Sequence, residues 1–353
     1  MFLHFCKNVL YFNKFICFGS IMKKFLSITA LLLLSIFTLT ACSTTSLTLS
    51  GSYWNKNQTN PTESIYEECV YDVKCVSTTP TDSNEIKNEN VSLTIKDSSY
   101  KTTLEFINNP ATYGEHYVFT TKLLLNGEYK VGSKEPVSFN DSVETITYFK
   151  TFLNGYQPIL SYRNATSSTY FDSQTGEVIS FAYEHKIVYD GDNATLTSKT
   201  AKVGKLNEAT EKTSPFKKYK SNDAYVENNL LLFIPRAYDY KNAISEEFRV
   251  IDAITGDLKT LRYATSSTSE GLDVKTLDGS YSIDGAEAVS YPAAIKIFAY
   301  VANTFSGQSL ESYYATDHPT HRHRLIKHYS ALNNEMGYLE YSLKTVSTVR
   351  PNL

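Results

Sequence analysis

The sequence predicts a mainly β chain of the α+β kind, built from antiparallel strands with two or three short helices. Three observations carry this expectation. Tyrosine and threonine, which suit the pleated, half-buried surface of a strand, are abundant, with 27 tyrosines among 353 residues. Short runs of alternating apolar and polar residues recur between clusters of Asn, Asp, Gly and Pro. Helical patterns do not stand between successive strands, as a parallel α/β sheet would require.

Residues 90–97 (NVSLTIKD), 101–107 (KTTLEFI) and 116–125 (HYVFTTKLLL) alternate as strands, broken by turn residues such as Asn108-Asn109-Pro110 and Asn126-Gly127. Residues 141–154 predict a helix. Asn140 or Asp141 caps it, Val143, Ile146, Phe149 and Leu153 form one stripe, and Gly155 ends it. Hairpins follow. Residues 170–179 and 250–258 share the pattern Asp-x-x-Thr-Gly-acid-apolar, in which Asp172 bonds turn amides and Gly176 takes a positive φ. The pattern is compatible with a duplication, but the same turn chemistry used twice accounts for it. Residues 199–222 are polar and lysine-rich, a long loop or linker. Asp223–Glu227 then leads into an expected helix at Leu230–Ile234, stopped by Pro235, and a Ser/Thr-rich loop covers 264–269. A last hairpin pairs 321–332 with 337–346 around Asn333-Asn334. Leu339, Tyr341 and Leu343 alternate there with Tyr338, Glu340 and Ser342.

The front of the chain follows a different grammar. Lys23 and Lys24 precede an uncharged stretch, Phe25–Thr40, that closes on Leu39-Thr40-Ala41-Cys42. That order is a secretory signal rather than a fold element, and its ending resembles the lipobox of bacterial lipoproteins. The resemblance implies a signal peptide over 1–41, with Met22 as the expected true start, and diacylglycerol plus an acyl chain on Cys42. In that family Asp after the cysteine retains the protein at the inner membrane. Ser43 stands here, which implies the outer membrane. The competing reading is a transmembrane helix, but the run falls short of the ~20 apolar residues of a full span. Residues 42–64, rich in Ser, Thr and Asn with Pro61 and the sole tryptophan Trp54, form a tether. Residues 65–353 form the body, with 65–155 and 156–353 as two candidate halves.

Removing residues 1–41 takes away four lysines and no acid, leaving 30 basic against 37 acidic side chains, a net charge of −7. That balance argues against a nucleic-acid partner. Cys6 and Cys17 precede the expected start and Cys42 carries lipid, so Cys69 and Cys75 remain. An oxidising compartment favours a Cys69–Cys75 disulfide. The bond requires Cα atoms within ~7 Å, so residues 69–75 would have to turn back on themselves. A metal site at these cysteines lacks two further nearby ligands.

Four of the seven histidines lie near the C-terminus, in Asp317-His318-Pro319-Thr320-His321-Arg322-His323-Arg324 and at His328. On a strand His321 and His323 would share a face, and with His318, His328 or Asp317 they could hold zinc or copper. Arg322, Arg324 and Lys327 oppose a cation, and the spacing matches no established zinc signature. Two further readings stand: a patch of Arg322, Arg324 and Lys327 for an anionic ligand such as a lipid phosphate, and a polar strand face with solvated basic residues, which carries the most weight. Asp190-Gly191-Asp192-Asn193 opens like a calcium loop but continues as a hairpin turn, with Ala194 in the third ligand slot. No GxSxG, glycine-rich phosphate loop or CxxC occurs. Adjacent acids such as Glu67-Glu68 and Glu246-Glu247 are expected to be solvated.

Gly155-Tyr156-Gln157-Pro158, Tyr170-Phe171-Asp172, Asp223 before the leucine-rich helix, and Tyr313-Tyr314-Ala315-Thr316-Asp317-His318-Pro319 before a basic strand occur in an order that resembles a group of periplasmic β-proteins of unknown function. These curl an antiparallel sheet into an unclosed barrel, a shape shared with the lipoprotein carriers of the Lol pathway. The likeness spans about 140–345 and brings no catalytic residue. It implies a curved sheet with helices in its mouth that holds something apolar or a partner. The expected function is therefore a non-catalytic envelope lipoprotein without cofactor, membrane-bound through Cys42 and facing the periplasm, that binds or scaffolds a lipid, a peptide or an envelope protein. The alternatives are a metal-binding protein or metal-dependent enzyme using His318, His321, His323 and His328, and a structural subunit of an envelope complex.

Overall fold

Strand-forming residues dominate residues 65–351, which the computed structural model describes apart from 153–154, 191–192, 217–224, 242, 252–257, 266, 269–270, 302–309, 318–320 and 333–334. Cys42 and the tether therefore lie outside the described residues. Eight strands lead off: β1 (Tyr66–Val76), β2 (Val91–Asn109), β3 (Gly114–Val131), β4 (Val137–Phe152), β5 (Gly155–Asp172), β6 (Glu177–Asp190), β7 (Asn193–Lys202) and β8 (Lys212–Phe216). Each pairs antiparallel with the next. There follow β9 (Tyr225–Glu227), β10 (Ser245–Ile251), β11 (Leu258–Thr265), the short β12 (Ser267–Thr268), β13 (Gly271–Leu272), β14 (Val274–Lys275), β15 (Ser280–Ile283) and β16 (Val289–Ser290), then β17 (Ala294–Val301), β18 (Leu310–Ala315), β19 (Leu325–Ala331) and β20 (Tyr338–Ser347).

The chain closes its sheet in the middle rather than at the rim. β20 lies antiparallel against β1, so the first and last strands are central neighbours. From β1 the sheet runs outward through β2 to β8 on one side. On the other it runs through β20, β19, β18, β17, β11 and β10 to β9. Among the described residues only β9–β10 and β15–β20 are parallel. No pairing joins β8 to β9 among the described residues, and the sheet is unclosed. The described residues group as one compact unit.

The expected hairpin at 170–179 forms: the Asp172 carboxylate accepts from the Gln174 amide at 2.9 Å and the Thr175 hydroxyl at 2.9 Å, and Gly176 takes φ +69. The arms of the expected 250–258 hairpin pair antiparallel, Ile251 opposite Leu258, and its turn lies outside the described residues. Of the calcium-like stretch, Asp190 of β6 pairs antiparallel with Asn193 of β7, and 191–192 lie outside the described residues. Of the expected 321–346 hairpin, β19 pairs with β20 over 327–331 and 338–342, while 321–324 are not strand.

Four expectations are corrected. Residues 141–154 are not a helix; they lie mostly in β4. Their inward positions are Asp141, Thr145, Thr147 and Phe149, a period of two that small polar residues disguise, while β-branched Val143, Thr145, Ile146 and Thr147 resist a helix. The Leu230–Ile234 helix is replaced by two 3-10 turns, Asn228–Leu232 and Ile234–Ala237, which meet at Phe233, with Pro235 in the first turn of the second. Among the described residues the helical segments that pack into the core are such turns. Of polar 199–222, residues 199–202 belong to β7 and 212–216 form β8, which pairs with β7 at the edge of the sheet, where lysine-rich strands are accepted; 217–222 lie outside the described residues. Finally, Asn126-Gly127 is no turn: β3 runs straight through it. A Cβ on Gly127 would stand 2.2 Å from the Thr94 carbonyl oxygen and 3.0 Å from the Phe139 ring, so glycine serves close approach between strands.

Candidate functional site

Residues 227–240 lie against inward-facing side chains from both arms of the sheet. Leu230, Phe233, Ile234, Ala237 and Tyr238 are fully buried. Phe233 meets Phe119 of β3, Phe149 of β4 and Tyr156 of β5 at ring separations of 5.1, 5.8 and 5.7 Å. Tyr263 of β11 and Tyr314 of β18 approach the same segment from the other arm.

A 3-10 segment leaves backbone carbonyls that an α-helix would satisfy internally, and burial makes unpaired ones costly. Tyrosines supply the missing donors. Tyr263 donates to the Leu231 carbonyl at 2.7 Å and Tyr314 to the Leu232 carbonyl at 3.0 Å, and Tyr240 adds a second donor, at 2.6 Å, to the Pro235 carbonyl that also takes the Tyr238 amide at 3.3 Å. Tyr71 and Tyr291 do the same for the Leu325 and Leu343 carbonyls. The tyrosine richness thus has a structural use: each ring fills core volume and its hydroxyl serves the backbone.

At the start of the segment Glu227 accepts from the Asn229 amide at 2.5 Å and from the Thr147 hydroxyl at 2.9 Å. Asn229 in turn accepts from Thr121 at 3.0 Å and donates to the Phe119 carbonyl at 3.3 Å. Burial raises the Glu227 carboxyl above the usual range, against the pull of these donors.

At its end lies an ionic cluster. Glu67 of β1 is 3% exposed, and its two oxygens take Arg236 at 2.6 Å and Arg324 at 2.9 Å. The two guanidiniums outweigh burial and hold the Glu67 carboxyl down at about 2. Arg236 also donates to the Arg322 carbonyl at 3.2 and 3.1 Å. Cys69 lies beside Glu67, with its sulfur 3.8 Å from a carboxylate oxygen, and burial pushes its thiol up to about 12.

The expectation that Glu67-Glu68 are both solvated is corrected. They sit on opposite faces of β1: Glu68 pairs with Lys101 at 3.1 Å outside, while Glu67 points in with Cys69, Tyr71 and Val73. That alternation is visible in the sequence and is the signal by which Glu67 could have been found. Nothing local in the sequence marks Arg236 as its partner.

The expected cysteine bridge is also corrected. Cys69 and Cys75 are free thiols on one extended strand, six residues apart. Six strand steps cover ~20 Å, beyond the reach of a disulfide.

Residues 321–324 form a turn rather than a strand face. Arg322 and His323 take φ +51 and +49. His321 bonds through Nδ1 to the Tyr281 hydroxyl. His323 is buried against the Tyr240 ring, with centroids 4.3 Å apart. His328, on β19, is buried and bonds the Ser312 hydroxyl at 2.8 Å, and burial lowers it to about 4. His318 lies outside the described residues. Among the described residues no group of three His, Cys, Asp or Glu side chains is set to hold a metal ion. Of the expected basic patch, Arg324 is committed to Glu67, and Lys327 lies 3.4 Å from Glu340, which Lys74 also approaches at 3.1 Å. Arg322 is the member with a half-buried side chain and no such pairing among the described residues.

No family model matches the chain, and no curated protein matches it. Among solved structures, the chain is similar to the beta-barrel-like protein of domain of unknown function DUF1849 from Brucella abortus, at 8% identity and a TM-score of 0.44, over 82% of this chain and 99% of that one.

Proposed function

We propose that this protein is a non-catalytic lipoprotein of the bacterial envelope, anchored through Cys42, whose β body presents an outer surface to an envelope partner. The observation that carries the partner reading is the filling of the core by residues 227–240, fixed from β1, β3, β4, β5, β11 and β18. A sheet whose inner face is occupied by its own chain has that face committed, so exchange with a partner falls to the exterior and the strand edges. The anchor reading rests on Lys23-Lys24, the uncharged run and Leu39-Thr40-Ala41-Cys42. With two or more acyl chains, at ~0.8 kcal/mol per buried methylene, attachment would be stable.

The test is intact mass of the protein extracted from bacterial membranes, followed by solvent extraction of the same sample. A chain beginning at acylated Cys42 that releases no stoichiometric free lipid is expected. An unprocessed N-terminus would overturn the anchor. A stoichiometric lipid released from the body would overturn the exterior reading and place an apolar ligand in the sheet.

A further inference from the structure

We infer that Arg322, backed by Arg236 and Arg324, is an anion site that takes a phosphate group. The site would exist whether or not Cys42 carries lipid.

The inference begins with charge. Three arginines converge on one buried carboxylate, and both Glu67 oxygens are already used, by Arg236 at 2.6 Å and Arg324 at 2.9 Å. Asp284 also acts on Arg322 through its field, and its two oxygens take the Thr348 amide and hydroxyl, each at 2.6 Å. Two guanidiniums share the single Glu67 carboxylate, so the ion-paired cluster beside Arg322 already carries one excess positive charge. Arg322 is half-buried, and among the described residues no carboxylate lies within ion-pair distance of it. A partly desolvated charge without a counter-charge in contact is costly, and an incoming anion that bonds it directly removes that cost.

Position comes next. The main chain of Arg322 is pinned by two hydrogen bonds from Arg236 to its carbonyl, at 3.2 and 3.1 Å. Arg322 and His323 adopt consecutive left-handed conformations, φ +51 and +49, which non-glycine residues hold only when their surroundings impose them. The turn therefore keeps Arg322 beside the cluster although its guanidinium is not needed to neutralise Glu67. Burial and the neighbouring guanidiniums of Arg324 and Arg236 also disfavour its charged form, which an anion would restore.

Chemistry selects the ligand. A guanidinium presents a planar fork of donors that matches two phosphate oxygens, whereas a lysine would offer a point charge. Such a phosphate can belong to a lipid headgroup or be free in solution.

The experiment measures thermal unfolding of the full chain in zwitterionic detergent micelles. Inorganic phosphate is titrated against chloride at equal ionic strength, and in a second arm the micelles are doped with phosphatidylglycerol. A saturable rise in the midpoint is expected in at least one arm, with half-saturation weakened about tenfold or more in Arg322→Gln, the loss expected for charge-assisted hydrogen bonds. A rise with phosphate assigns free phosphate, and a rise only with phosphatidylglycerol assigns the headgroup. A rise of the same size and half-saturation in Arg322→Gln, or no rise in either arm, would overturn the site. If Arg322→Gln does not fold, Arg322→Lys keeps the charge and loses the fork, and the same weakening is expected of it.

Discussion

Arg236 and Glu67, 169 residues apart in sequence, meet at 2.6 Å with side chains only 7% and 3% exposed. The contact ties the 3-10 segment to the central strand β1, and Arg324 adds the turn before β19. Removing one partner from a buried ion pair leaves an uncompensated charge and typically costs ~3–5 kcal/mol. Glu67→Gln, which strands two guanidiniums at once, is expected to fall in that range. Urea unfolding of the variant and the parent decides it: a loss below about 1 kcal/mol would mean that solvent reaches the cluster.

Acid should unfold the protein in two stages. The unfolded chain binds the His328 proton near 6.5, whereas the folded one does so only near 4. Stability therefore falls as pH drops from 6.5 to 4. Glu67 is held at about 2 against an ordinary 4.5, so its contribution is fully present above 4.5 and is lost as pH falls toward 2. Glu227 works in the opposite sense, because its raised carboxyl costs stability as pH rises above 4.5. Comparing His328→Asn with the parent separates them, since Glu227 is common to both. The variant's stability should vary less between pH 6.5 and 4, and equal slopes would place His328 in contact with water.

The tyrosine hydroxyls on the 3-10 segment make a cleaner test, because Tyr→Phe keeps the ring. Tyr263→Phe and Tyr314→Phe would each leave a buried carbonyl, Leu231 or Leu232, without its donor. Each should lose ~1–3 kcal/mol. A Tyr→Phe change at exposed Tyr170 should lose almost nothing. Denaturant midpoints at constant m-value measure all three.

These contacts also mark what the sequence could and could not disclose. The hairpin at 170–179 and the pairing of β19 with β20 were legible because turn chemistry is local: Asp172 and Gly176 act within four residues of each other. The antiparallel class was legible from alternation and from the absence of intervening helices. The strand nature of 141–152 was hidden because its inward residues are largely Asp141, Thr145 and Thr147, polar groups that bond within the interior. Glu67 was half legible, through the alternation of β1. Its partners were not, since a contact between residues 67, 236 and 324 depends on β20 returning beside β1 and on the 3-10 segment lying across both arms.

The state of the two cysteines follows directly from β1 being extended. Denatured without reductant and treated with maleimide, the body should take up one label at Cys69 and one at Cys75. In the native state Cys75, which is only partly buried, should react before Cys69, whose thiol is enclosed and pushed up to about 12. A chain that takes up neither label and is two hydrogens lighter would require residues 69–75 to double back, which is incompatible with their pairing to β2 and β20.

Gly127 tests the sheet at its most crowded point. Its φ lies outside the left-handed region, so the demand for glycine is one of space rather than conformation. An added Cβ meets the Thr94 carbonyl oxygen at 2.2 Å, and because that atom is backbone, relief requires β2 and β3 to part. The Phe139 ring at 3.0 Å blocks a shift the other way unless it rotates out of the core. Gly127→Ala is expected to destabilise by ~1–3 kcal/mol, the usual cost of overpacking. Gly132→Ala, where a Cβ has open space but φ is +55, should lose about 1 kcal/mol from backbone strain alone. If chemical denaturation ranks the two variants the other way, the strands are further apart at Thr94 than the register of β2 and β3 implies.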